Sequence, residues 1–154
     1  MEQGVAEPPS GLLDSIKENF GLKDIDVESY SPLALAFIGD SVFDLIVKTV
    51  VVEKANCPAS KLHRKTSEIV KAASQSEMAG WLMENGVLTE EEQRIYRRGR
   101  NAKSPTTAKN ATVGEYRRAT GIEALAGYLY LNNRTERLVE LIKMGIEAKD
   151  KSLK

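Results

Sequence analysis

The run from Leu33 to Val47 constrains the fold more than any other part of the chain: it is apolar enough for a core helix, yet Asp40 and Asp44 stand inside it. An ionised carboxylate in such a setting needs a counter-ion, hydrogen-bond donors or a metal, because burying charge alone is prohibitively costly. Asp40 is therefore the first candidate for either a structural salt bridge or a metal site. The helix has a defined start. Ser31 can cap it, and Pro32 takes the first position, where its missing N–H is harmless. The run should continue to about Lys54 and stop before Asn56, Cys57 and Pro58.

The remainder of the chain also reads as helix. Leu62, Ile69, Val70 and Ala73, then Met78, Trp81 and Leu82, mark two shorter helical stretches, the second closed by Asn85 and Gly86. Thr89 and Glu92 form a capping-box pattern leading into Ile95 and Tyr96, and Thr112 with Glu115 forms another. From the second box, Tyr116, Ala119, Ile122, Glu123, Ala126 and Tyr130 follow at helical spacing. Between the two boxes, residues 101–111 lack apolar periodicity and contain Pro105, so they predict a loop. Leu138, Leu141, Ile142 and Ile146 line one face of a last helix. No strand pair is visible, and the expected fold class is all-α. Residues 1–29 read as an acidic tail ordered at most in part, with a short helix around residues 12–20. Residues 30–150 are expected to form one domain, and residues 151–154 a C-terminal tail.

At 154 residues, 42% apolar and 29% charged, the chain suits one soluble globular domain. Its 22 basic and 22 acidic residues cancel, so net charge says nothing about partners. Their distribution does. From Arg94 to Arg118 eight basic residues face one acidic residue, Glu115, whereas the first thirty residues hold seven acidic and two basic. A polyphosphate would be drawn to the first region and repelled by the second, although a basic helix end can equally be a solvated face. Cys57 is alone, so no internal disulfide forms, which fits a reducing, cytoplasmic compartment. The N-terminus lacks the pattern of a secretory signal, and Asp40, Asp44 and Lys48 argue against a membrane span.

Phe37-Ile38-Gly39-Asp40-Ser41-Val42-Phe43 resembles the signature helix of the ribonuclease III family, which cleaves double-stranded RNA. Glu123-Ala124-Leu125-Ala126-Gly127-Tyr128-Leu129 resembles that family's later metal-binding helix. The segment from Arg97 to Ser104, with the Thr, Lys and Asn residues after it, is similar to the basic loop of the short branch, Mini-ribonuclease III, which lacks a separate double-stranded-RNA-binding domain. The likeness covers about residues 31–146. It implies a ribonuclease III-type helical endonuclease domain, homodimeric and dependent on Mg²⁺, with Mn²⁺ as a substitute. It further implies hydrolysis of duplex RNA to 5′-phosphate and 3′-hydroxyl ends, with the large-subunit (23S) ribosomal RNA precursor as substrate and no action on DNA.

Within that resemblance Asp40 and Glu123 are the carried-over catalytic carboxylates and metal ligands. The long-form family has further acids where this chain has Leu33, Ala36 and Thr120. Thr120 can position a water through its hydroxyl, or simply pack. Arg98, Arg100, Lys103, Lys109 and Arg117 are the RNA-binding candidates, because an A-form duplex is recognised largely through phosphate and 2′-hydroxyl contacts. Asp44 is expected to pair with Lys48 rather than to join Asp40, since acids one helical turn apart repel. His63, beside Arg64 and Lys65, is expected on a solvated face, and Trp81 in the core. The alternative to an enzyme is a catalytically silent helical dimer that binds structured RNA or ribosomes through the same basic face.

Overall fold

The computed structural model describes residues 11–54, 56–104 and 111–150. These form seven α-helices: α1 (Leu12–Phe20), α2 (Pro32–Lys54), α3 (Ala59–Val70), α4 (Ala72–Glu84), α5 (Glu90–Asn101), α6 (Val113–Leu131) and α7 (Thr135–Asp150). A single 3₁₀ turn, Val27–Ser29, precedes α2. No strand occurs among the described residues, in line with the all-α expectation.

Local chemistry sets the helix ends. Ser31 Oγ accepts from the Ala34 backbone N–H at 3.1 Å, capping α2 as its sequence predicts. Both capping boxes form. Thr89 and Glu92 exchange side-chain and backbone hydrogen bonds at the start of α5, and Thr112 and Glu115 do the same at the start of α6. α1 occupies Leu12–Phe20, where a short helix was expected. It does not float free of the domain, for Leu13 and Val27 are buried and Asn133 Nδ2 donates to the Asp14 carboxylate at 3.1–3.2 Å. Residues 1–10 and 151–154 lie outside the described residues.

α6 is the centre of the domain. Ala124, Leu125, Ala126, Tyr128 and Leu129 are buried, and the helix packs against α2, α4, α5 and α7. Such all-round contact requires small residues where backbones meet. Gly121 is one of these, for a Cβ there would lie 2.7 Å from the Tyr96 ring on α5. Leu35, Phe43 and Val47 of α2 join the same core, as do Met78 and Leu82 of α4, Ile95 of α5 and Leu138 and Leu141 of α7. Trp81 is half-buried against this core, and His63 is exposed on α3, each close to its expected setting.

The start of α5 is locked to α7 by a buried ion pair. Arg137 donates Nε to Glu92 Oε2 and Nη2 to Glu92 Oε1, both at 2.8 Å, and also reaches the Val87 carbonyl at 2.8 Å. Glu92 is 3% exposed. Burial pushes its carboxyl upward, but the Arg137 fork and the Thr89 N–H outweigh burial and hold it below the ordinary carboxylate range. One side chain thus caps a helix and joins two elements. Removing one member of such a pair leaves the other charge buried and uncompensated. Arg137→Met should therefore cost about 3 kcal/mol at pH 7. Because the pair stabilises only while Glu92 is ionised, urea unfolding should show the deficit shrinking as pH falls through the carboxylate range.

Candidate active site

Asp40 and Glu123 come from helices far apart in sequence, and two glycines bring those helices together. A Cβ on Gly39 would lie 1.7 Å from the Glu123 carbonyl oxygen and 2.7 Å from the Gly127 nitrogen. Reciprocally, a Cβ on Gly127 would lie 2.0 Å from the Leu35 carbonyl oxygen. The obstructing atoms are backbone, so α2 and α6 can cross at this separation only with glycine at both positions. Asp40 follows Gly39 directly, and its carboxyl meets that of Glu123 at the crossing.

The two acids sit in different surroundings. Asp40 is exposed, contrary to the burial that the apolar α2 run suggested, while Glu123 is largely withdrawn from solvent. The reason lies in α2 itself. Phe37, Leu45 and Val52 share an exposed face with Ser41 and Lys48, and Asp40 stands at the border of that face. Asp44 on the same side pairs with Lys48 at 2.8 Å, as expected, and so is separately neutralised.

Burial and the adjoining Asp40 together push the Glu123 carboxyl up to about 8, while the Gln75 side chain opposes the shift. Two like charges in contact at a half-dry site call for a cation between them. Among the described residues no group of three or more His, Cys, Asp or Glu is gathered for a metal. A pair of carboxylates nonetheless fits Mg²⁺, which is commonly held by one or two carboxylates with waters and phosphate completing its shell.

The other predicted site residues are distributed around the α5–α6 connection. Thr120 is buried, and its hydroxyl donates to the Tyr116 carbonyl at 2.9 Å within α6. Arg98 is half-buried and reaches the Tyr30 carbonyl at 3.5 Å, while Arg100 lies over the Tyr96 ring, 5.8 Å from its centroid. Lys103 and Arg117 are exposed. Lys109 lies outside the described residues. The connection is tethered near its start by a 3.2 Å hydrogen bond between the Ser104 and Tyr116 hydroxyls. Tyr116 precedes Glu123 by two turns, which sets that tether about 10 Å along α6 from the carboxylate pair.

Two polar residues of α4 were not singled out by the sequence. Gln75 of α4 adjoins Glu123, and Ser76 accepts from Arg118 Nε at 2.6 Å. Both are small-to-medium polar residues in a helix whose pattern advertised only its apolar face.

The Ribonuclease III domain family matches residues 33–134, which makes this all-helical chain a ribonuclease III-type nuclease domain. The protein called Mini-ribonuclease 3 in Clostridium tetani is 43% identical over 128 residues, 82% of this chain and 83% of the relative. Its namesake in Thermoanaerobacter sp. is 47% identical over 121 residues, 79% of this chain and 84% of the relative. The crystal structure of a protein from Fusobacterium nucleatum superposes with a TM-score of 0.71 at 30% identity, covering 80% of this chain and 98% of that one. The chain belongs to the Mini-ribonuclease 3 family and is an endoribonuclease.

The raised Glu123 carboxyl has a consequence for stability. With the folded value near 8 and the ordinary value 4.5, the unfolded chain ionises first as pH rises. The metal-free fold thus loses stability across that interval, by at most about 1.4 kcal/mol per pH unit. In chelator, Glu123→Gln should match the parent below about pH 4 and gain on it progressively from there toward pH 8 in thermal unfolding.

Proposed function

We propose that this endoribonuclease hydrolyses phosphodiester bonds of double-stranded RNA with Mg²⁺, leaving 5′-phosphate and 3′-hydroxyl ends. The observation that carries this reading is the meeting of Asp40 and Glu123 at the α2–α6 crossing, in a chain of this family. Bound by these carboxylates, Mg²⁺ would lower the pKa of the attacking water and neutralise charge on the phosphate. Asp40 and Glu123 are the residues that would hold the ion. In the reaction the water oxygen bonds to phosphorus, the bond to the 3′-oxygen breaks, and a proton ends on that oxygen. No protein nucleophile is required.

Substrate binding falls to the basic side chains. Lys103 and Arg117 are exposed, and Arg100 presents its guanidinium from the Tyr96 ring. Spread over the α5–α6 connection, they suit the phosphates of an A-form duplex, which are read by shape rather than by base edges. Few aromatic residues interleave with them, unlike a single-strand stacking platform. Arg98 is the least available of the candidates, being half-buried with its guanidinium on the Tyr30 carbonyl.

Homodimerisation completes the reading. Phe37 is 81% exposed and Leu45 and Val52 more than half exposed, an apolar stripe on the longest helix that a second copy would cover. Two acidic sites would then serve the two strands of one duplex. The large-subunit (23S) ribosomal RNA precursor is the substrate this family membership favours, and the cytoplasm its setting.

Purified protein incubated with duplex RNA and Mg²⁺ tests the assignment. Asp40→Asn and Glu123→Gln should each lower cleavage about 100-fold or more, the loss of several kcal/mol of transition-state stabilisation, while retaining duplex binding. The double variant Arg100→Ala with Lys103→Ala should bind more weakly and with a shallower salt dependence. Cleavage unaffected by either acidic substitution would refute the site.

A further inference from the structure

Among the described residues, Gln75 is the one buried side chain left with an unpaired polar atom. It lies on α4 facing α6, is 2% exposed, and its Nε2 is the only buried side-chain nitrogen or oxygen among the described residues without a hydrogen-bond partner. Leaving such a donor unpaired is costly to the fold. Its neighbours show no comparable deficit. Ser74 Oγ donates to the Glu68 carbonyl at 2.5 Å, and Ser76 Oγ accepts from Arg118 Nε at 2.6 Å.

The group standing beside Gln75 is Glu123. The amide is near enough to favour the charged carboxylate, yet the two have not closed into a well-formed hydrogen bond. A donor held dry against a carboxylate that already faces Asp40 has a use when that carboxylate must present a fixed oxygen to a cation. An amide suits the task because it donates without bringing a charge that would compete with the ion. Partners of this kind orient metal-ligating carboxylates, and losing one typically weakens metal binding by 10–100-fold.

We propose that Gln75 is a positioning residue of the active site, donating Nε2–H to one oxygen of Glu123 so that the other is aimed, with Asp40, at the divalent cation. This rests on the reading of Asp40 and Glu123 as the cation site. Gln75 is not itself a ligand in this arrangement. Its effect is carried through Glu123, and its absence should appear in cation affinity before any RNA is added.

The test is calorimetric titration of the full chain with Mn²⁺, alongside thermal unfolding in chelator. Gln75→Leu, similar in size and free of polar atoms, should unfold at or above the parent temperature because it removes an unpaired donor, while its Mn²⁺ dissociation constant rises about tenfold or more. Gln75→Met, unbranched and adaptable, is the second variant if leucine packs poorly. Folded variants that bind Mn²⁺ as the parent does would overturn the role of Gln75 and leave the acidic pair standing, provided Asp40→Asn abolishes binding. If the parent binds no Mn²⁺, or Asp40→Asn binds it equally well, the cation site fails and this inference with it. Failure of both Gln75 variants to fold would make the amide structural and also overturn the proposal.

Discussion

The contact between the backbones of α2 and α6 at Gly39 and Gly127 is the constraint on which the rest of the structure depends. Neither glycine serves a turn. Each sits inside a helix, where it is a poorer helix former than alanine by about 1 kcal/mol. What offsets that cost is an approach in which the Gly39 Cα faces the Glu123 carbonyl with no room for a methyl group. Long apolar neighbours such as Leu35 and Phe43 then fill the core on either side of the crossing. The separation of the two helices is therefore fixed by backbone, and with it the meeting of Asp40 and Glu123.

That meeting works against the stability of the metal-free protein, and the rest of the domain withstands it. Burial beside a second acid drives the Glu123 carboxyl up to about 8, a state that a dication relieves by neutralising both groups. Elsewhere the fold resolves its buried charge internally. Glu92 is buried as well, yet with the Arg137 fork against it its carboxyl goes down rather than up. The contrast between these two glutamates is one of partners: Glu92 has its cation built into the sequence, whereas Glu123 faces a second acid.

Much of this was legible in the sequence because it is local. Ser31–Pro32, Thr89 with Glu92, and Thr112 with Glu115 each announce a helix start through side chains that bond the backbone within one turn. Asp40 and Glu123 were legible as family motifs, though nothing in helical periodicity placed them together; that depends on a crossing set by Gly39 and Gly127. The exposure of Asp40 was not legible, because an almost wholly apolar α2 reads as buried on every side whereas the single chain covers only part of it. Gln75 was missed for a related reason. A lone amide within Ser74-Gln75-Ser76 looks like the polar face of a short helix, and only its depth beneath α6 reveals otherwise. Arg98 and Arg100 showed as charge in the sequence, while their contacts with Tyr30 and Tyr96 are matters of tertiary placement.

The glycine-mediated crossing seats Glu123 against Asp40 in a half-dry site. The most direct measurement is the carboxyl titration of Glu123 by carbon NMR in the metal-free protein, in the parent and in Asp40→Asn. The parent should titrate with a midpoint near 8. Removing the Asp40 charge should bring that midpoint down toward the ordinary 4.5 without reaching it, because burial remains. A parent midpoint already near 4.5, or one that Asp40→Asn leaves unmoved, would contradict this seating of Glu123.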